Sequence, residues 1–305
     1  MLTAVLSRAD VSRNMQALRL LSELRDAFSA KARSASVQTL RFDAPVPGGS
    51  TLVRQATLPG LAAYSVTVRA EWPDNDVARS FLQLHDSQSG KLLAVMDANH
   101  LMSLRASLES ALAADVLARA DAKRVAVLGS GTAASGTVKA LRLVRTIDRV
   151  LLYEPDLAAN TELALRLQTS LAASVRGVNT AAEAVADADI VVLTGHVPLP
   201  SDALKPGAHV TVLAADRFPA PPLSAALLER ARRFCDAQEP APTWGSPFHA
   251  ELGEVLRGDA PGRRTPEELT VFVSVGPAFL DLLAAWHVYE SAREDEALTR
   301  LDLEA

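Results

Sequence analysis

The stretch KRVAVLGSGTAASGTVKAL, residues 123–141, decides how this chain is read. An apolar run, RVAVL, ends in Gly129; Gly131 follows one residue later, Ala134 is small, and a helical pattern opens behind them. A pyrophosphate needs such a turn: a tight strand-to-helix bend, close backbone approach, and N–H groups at a helix N-terminus. Gly129 makes the bend, Gly131 admits the phosphates, and Ala134 lets helix and strand pack closely. The spacing G-x-G-x-x-A also arises by chance, so its context matters. A second apolar run, RVLLYE, ends in Glu154, 20 residues past Ala134. A carboxylate there meets the ribose hydroxyls of a dinucleotide and repels a 2′-phosphate, which predicts NAD over NADP. S-adenosylmethionine sites also use a glycine turn and an acid after the second strand; the complete spacing favours a dinucleotide.

Outward from this turn the chain has two rhythms. From residue 123 onward, short apolar runs recur: RVAVLG, RVLLYE, DIVVLTG, HVTVLAA, RRFCDA and TVFVSVG, with ASVRGVN as a further strand. Helical segments separate most of them, at 133–143, 157–173, 181–186, 223–231 and 251–256. Runs without alternation are strands covered on both faces, and strand–helix alternation implies a parallel sheet. This half is expected to be an α/β, Rossmann-type doubly wound sheet. The first hundred residues read as α+β. Residues 15–32 carry a helical apolar face of Leu18, Leu21, Leu24 and Phe28. Residues 36–72 alternate and are broken by Pro and Gly, as antiparallel strands are. Residues 79–97 read as a hairpin about a Ser-Gly turn. Helices follow at 101–117 and from 279 to about 296. The expected division is 1–112 plus 293–305 for the α+β domain and 113–292 for the nucleotide domain.

Composition narrows the function classes. The 305 residues carry 31 basic and 36 acidic side chains, a net charge of −5, without the concentrated basic surface that nucleic acid requires. No window approaches the roughly 18 apolar residues of a membrane span. The apolar run in MLTAVLSRAD is too short for a signal peptide core. The single cysteine, Cys235, excludes an internal disulfide, so the chain reads as cytoplasmic. The six histidines lack metal-ligand spacing, and no metal is expected.

Four blocks together resemble the ornithine cyclodeaminase/mu-crystallin family. They are LLAVMDANHLMSLRASLESALAADVLARADAKRVAVLGSGTAA (92–134), AVADADIVVLTG (184–195), LKPGAHVTVLAAD (204–216) and ELGEVLRGDAPGRRTPEELTVFVSVGPAFLDLLAAWHVYESA (251–292). The resemblance spans residues 39–293. It implies a Rossmann domain beside a substrate and dimerisation domain, a nicotinamide dinucleotide, and hydride transfer on a small amino acid or imine. Cyclodeaminases, alanine dehydrogenases, ketimine reductases and a cofactor-binding crystallin share this plan. Homodimers built through the N-terminal domain are implied as well.

The same resemblance assigns residues. Asp216 matches the catalytic aspartate, a proton carrier beyond a strand's carboxyl end. Arg105 matches the arginine of the family's RTAA signature, whose fork suits a carboxylate or phosphate. Arg41 matches an early substrate arginine, or is a surface strand arginine. Gly129, Gly131, Thr132, Ala133 and Ala134 cradle the pyrophosphate, and Glu154 takes the ribose. Thr194 and Gly195 follow the fourth strand; Leu213, Ala214, Ala215 and Ser274 fall beside the nicotinamide. Asp281 reads as structural.

The departures lie in the substrate half. Where the family has a lysine before its FPxN block, this chain has Thr67, and Arg69 on the same strand face is the candidate stand-in. After Asp216, FPAPP replaces the family's PGKxE. A changed substrate is one consequence; a dinucleotide-binding protein with little catalysis, of the mu-crystallin type, is the alternative.

Overall fold

The computed structural model describes residues 2–31, 39–72, 77–171, 173–195, 197–213, 222–237 and 247–303. Asp216, Ala214 and Ala215 lie outside the described residues. In chain order the elements are β1 (Thr3–Leu6), α1 (Arg8–Asn14), α2 (Ala17–Lys31), β2 (Thr39–Val46), β3 (Gly49–Thr57), β4 (Ala63–Trp72), β5 (Val77–Asp86), β6 (Leu92–Asp97) and α3 (Ala98–Leu117). They continue with β7 (Arg124–Leu128), α4 (Gly131–Val144), β8 (Arg149–Tyr153), α5 (Leu157–Ser170), β9 (Ser174–Gly177), α6 (Ala181–Val185), β10 (Ile190–Leu193) and β11 (His209–Val212). The last are α7 (Ala225–Arg230), β12 (Arg232–Cys235), β13 (Ala250–Glu251), α8 (Leu252–Arg257), β14 (Thr270–Val273), α9 (Ala278–Ala292) and β15 (Thr299–Leu301).

The chain divides into two units, Met1–Arg105 with Pro277–Ala305, and Ala106–Gly276. The division thus falls at 105/106 and 276/277, not at the 112/113 and 292/293 expected from the sequence. The reason lies in α9: its buried side chains pack on β3, β4, β5, α1 and α2, so it joins the first unit.

The first unit is built on a seven-stranded sheet in the order β15-β1-β6-β5-β4-β3-β2. Only β1 and β6 run parallel; the other neighbours are antiparallel. A tight turn sets the register of its middle. The Leu61 N–H donates to the Leu58 carbonyl at 3.1 Å, with Pro59 second and Gly60, at φ +84°, third. Pro followed by a left-handed glycine is the chemistry of a type II turn. The hairpin centred there pairs Arg54 with Thr67, and the β2–β3 hairpin adds Arg41 opposite Arg54. Alternation along β4 buries Ser65, Thr67 and Arg69 on one face. On the other face Phe42, Val53, Val68 and Phe81 form one row across four strands.

The second unit carries an eight-stranded sheet in the order β13-β12-β14-β11-β10-β7-β8-β9, with every pairing parallel. β10, β11 and β14 are buried at every position, which explains their largely apolar sequences, broken only by the buried His209, Thr211 and Thr270. The chain leaves β7 towards β8 and β9 on one side, then returns to β10 on the other. That reversal is the switch point where open parallel sheets bind ligands beyond their carboxyl ends. The amino edge of the same strands is locked by Asp189. Its buried carboxylate accepts from the Lys123 and Arg124 N–H groups at 2.9 Å each, from Arg119 at 2.8 Å and from Lys205 at 2.6 Å.

Candidate active site

Five of the described cofactor residues named from sequence stand in one row along the carboxyl edge of the second unit's sheet. Ladder bonds run Ser274 N–H to Val212 O, Leu213 N–H to Leu193 O, Thr194 N–H to Leu128 O and Gly129 N–H to Tyr153 O, all 2.9–3.0 Å. Ser274, Leu213, Thr194, Gly129 and Glu154 therefore mark the ends of five adjacent strands. With neighbouring strands about 4.8 Å apart, the row spans about 19 Å, the scale of an extended dinucleotide.

The glycine turn at the centre fits such a ligand. Gly129 has φ +120°, and a Cβ there would stand 2.6 Å from Thr194 Oγ1 and 2.8 Å from the Gly195 nitrogen. Only glycine lets β7 meet the β10 loop so closely. Gly131 has φ +77° and opens on space: no heavy atom lies within 4 Å of a Cβ built on it among the described residues. It begins α4, whose N-cap Ser130 makes no side-chain cap and whose first turn holds no acid. The positive end of the helix is thus left for an anion. Beside it, the buried Thr194 Oγ1 finds no hydrogen-bond partner among the described residues. Ala134 is fully buried, as close helix–sheet packing requires. A pyrophosphate fits Gly131, Thr132 and Ala133, with Glu154 one strand away on the ribose side. On the far side, Asp236 fixes the turn that carries Ser274. Its buried carboxylate accepts the Val275 and Gly276 N–H groups at 3.1 and 2.7 Å.

The substrate candidates lie in the first unit. Arg105 is buried, and its Nε and Nη2 donate to Asp281 Oδ1 at 3.1 and 2.7 Å. Arg54, which the sequence reading passed over, donates through Nη2 to the other oxygen of Asp281 at 3.1 Å. Two buried guanidinium groups thus share one fully buried carboxylate. Asp281 holds both guanidinium groups and sets their directions. Thr67 is buried directly across the strand pair from Arg54, so a cation stands beside the position where the family's lysine is missing. Arg69 shares that face one row along, buried, and pairs with Glu71 on its own strand. Arg41 occupies the same row as Arg54 and Thr67 but at the edge strand. Its side chain is 41 % exposed and forked onto Asp43 at 2.9 and 3.2 Å. The structure therefore joins Arg105 and Arg54, brings Arg69 alongside, and leaves Arg41 at the rim. A signal for Arg54 exists in the sequence: the Pro59-Gly60 turn folds it onto Thr67, and TLVRQATL places a charge on the buried phase of a strand.

A parallel sheet with an open glycine turn at its switch point is the arrangement of a nucleotide-binding α/β protein, and the other unit holds two buried arginines on one carboxylate. The chain belongs to the ornithine cyclodeaminase/mu-crystallin family, whose model matches residues 1–296. It is 29 % identical over 267 residues to a Delta(1)-pyrroline-2-carboxylate reductase of Bacillus cereus, covering 80 % of this chain and 82 % of that one. An archaeal alanine dehydrogenase dimer with bound NAD has the same fold, at a TM-score of 0.90 and 24 % identity over 99 % of this chain and all of that one. So has the Thermococcus litoralis Delta(1)-pyrroline-2-carboxylate reductase in complex with NADH and L-proline. There the TM-score is 0.88 and the identity 24 %, covering 97 % of this chain and 99 % of that one. No described helix is long and apolar enough to cross a membrane.

Proposed function

We propose that this chain reduces a cyclic imino acid bearing a single carboxylate, with NADH as hydride donor. Family membership makes it an NAD-dependent enzyme acting on an amino or imino acid by hydride transfer. The observation that carries the finer reading is the pair Arg54 and Arg105 held on Asp281. Arginine stays protonated and offers a planar fork, so the pair binds a carboxylate but exchanges no proton with it. Diamino acids such as ornithine would bring a second ammonium towards a region where three arginines, Arg54, Arg69 and Arg105, outnumber the two carboxylates paired with them, Asp281 and Glu71. Like charges at low dielectric disfavour that binding. A cyclic imine carries its carboxylate to the arginines without a second cation.

The nicotinamide supplies the hydride. Gly131, Thr132 and Ala133 hold the pyrophosphate by their N–H groups, Glu154 accepts from the ribose hydroxyls, and Leu213, Ala214, Ala215 and Ser274 border the nicotinamide. Glu154 is the reason to read NAD over NADP, because a 2′-phosphate would meet its charge. Asp216 is the proton carrier at the substrate nitrogen. In support of a homodimer, the outer row of the first unit's sheet exposes Phe42 by 66 % and Phe81 by 43 %. Large apolar groups in one row mark a contact surface, and a second copy of the same face is its natural partner.

The test mixes purified protein with NADH and Δ1-pyrroline-2-carboxylate, and separately with NAD and ornithine, following the nicotinamide absorbance. Oxidation of NADH by the imine, with little or no reduction of NAD by ornithine, is expected. Turnover of ornithine at a comparable kcat/KM would replace the reductase reading with a cyclodeaminase. Cofactor binding without turnover on either panel would favour the crystallin-like alternative.

A further inference from the structure

We propose that Glu109 acts through Ser274 on the nicotinamide end of the cofactor site, fixing the serine hydroxyl as an acceptor and favouring the oxidised ring. The inference rests on the dinucleotide reading above. Glu109 lies on α3 and is fully buried, as are Ser110 next to it and Leu112 and Ala113 one turn further along the helix. A carboxylate buried there is costly unless it is bonded. Glu109 Oε2 accepts a hydrogen bond from Ser274 Oγ at 3.2 Å.

Ser274 is itself held from two sides. Its N–H is tied to Val212 O at 2.9 Å, and the next two N–H groups are held by Asp236. Its backbone sits at the carboxyl end of β14, on the half of the sheet away from Glu154. A hydroxyl has one proton. Given to Glu109, that proton leaves Ser274 with lone pairs only, so it accepts from a carboxamide N–H and cannot donate to a carboxamide oxygen. The carboxylate one hydrogen bond behind it adds a second effect. The oxidised ring is a cation and the reduced ring is neutral, so a buried negative charge nearby favours the oxidised form. Bound NADH becomes a stronger hydride donor, which suits an enzyme that reduces imines. Glu109 is a positioning residue in this scheme.

The experiment measures dissociation constants of the full chain for NAD and for NADH, by calorimetry, in the wild type and in Glu109→Gln. Glutamine keeps the shape and removes the charge. NAD binding is expected to weaken roughly tenfold while NADH changes less than about twofold. Equal changes in both, or no change, would overturn the charge effect, since a structural lesion has no reason to sense the ring's redox state. A second measurement does not depend on that variant folding. Oxidised 3-acetylpyridine adenine dinucleotide replaces the carboxamide NH2 with a methyl group. The wild type should bind it roughly tenfold more weakly than NAD, and Ser274→Ala should bind both alike. A wild type that binds the two equally contradicts the acceptor role. A wild type that binds no dinucleotide overturns the cofactor reading itself, together with this inference; binding with the wrong selectivity overturns this inference alone.

Discussion

The carboxyl edge of the parallel sheet and the buried face of the antiparallel sheet are built in different ways. At the carboxyl edge, the proposed recognition is built from backbone: a left-handed glycine, an uncapped helix start and five strand ends in register. On the antiparallel face it is built from side chains that converge from distant positions, Arg54 on β3 and Arg105 on α3 meeting Asp281 on α9. Backbone sites tolerate changes in the surrounding side chains but fail when a glycine changes. Side-chain sites can relocate a charge from one strand to the next, and here the cation stands at Arg54 opposite Thr67.

The sharpest way to break this contrast is Gly129→Val. The valine Cβ would collide with Thr194 Oγ1 and the Gly195 nitrogen, at a φ that β-branched residues rarely adopt. NADH binding, read by fluorescence titration, should fall below detection. Retained affinity would show that the strand ends alone suffice. Next in size is Asp189→Asn at the amino edge, expected to cost about 3 kcal/mol in urea unfolding. Cofactor affinity of the folded variant should stay unchanged, because Asp189 lies at the opposite edge of the sheet.

Asp189 also gives a pH signature. Burial alone would raise its carboxyl pKa, but Lys205 and the two backbone N–H groups outweigh burial and bring it down to about 2. Its folded pKa is thus depressed below the unfolded value of about 3.9. The stabilisation is complete above that value and is lost as pH falls through about 2. An acid titration of wild type against Asp189→Asn should converge as pH falls from 4 to 2; parallel curves would remove Asp189 as the cause.

Smaller effects sharpen the comparison further. On the proposed homodimer, Phe81→Asp on the outer face should raise the dissociation constant by roughly 30-fold in sedimentation equilibrium without altering cofactor affinity. Glu154→Ser should improve NADPH binding relative to NADH by roughly tenfold, since the proposed NAD site sets this charge at the 2′ position.

The two regions were also unequally legible in the sequence. The central strands β10, β11 and β14 are buried on both faces and so stand out as largely apolar runs, and only the two-residue β13 escaped notice. The glycine turn could be read because its geometry demands particular residue types. On the antiparallel side the hairpins were legible from their turns. β1 and β15 were not: each has three or four residues, and they pair across nearly the whole chain, Thr3 with Leu301. Nothing local marks such a pairing. Arg54 was missed because a buried arginine in a strand looks like a break in the hydrophobic phase; its meaning emerges only with the register set by Pro59-Gly60. Asp281 was seen as structural because α9 is apolar nearly all round, and its two arginine partners lie 227 and 176 residues away.

The central claim is that Arg54, with Arg105, holds the substrate carboxylate that a lysine at position 67 would otherwise meet. The most direct test is steady-state reduction of Δ1-pyrroline-2-carboxylate by the wild type, Arg54→Ala, and Arg54→Ala combined with Thr67→Lys. The account predicts a KM for the imine about 100-fold higher in the single variant with kcat reduced far less, unchanged NADH affinity, and substantial recovery of KM in the double variant. An Arg54→Ala enzyme with wild-type KM, or a double variant no better than the single, would contradict it.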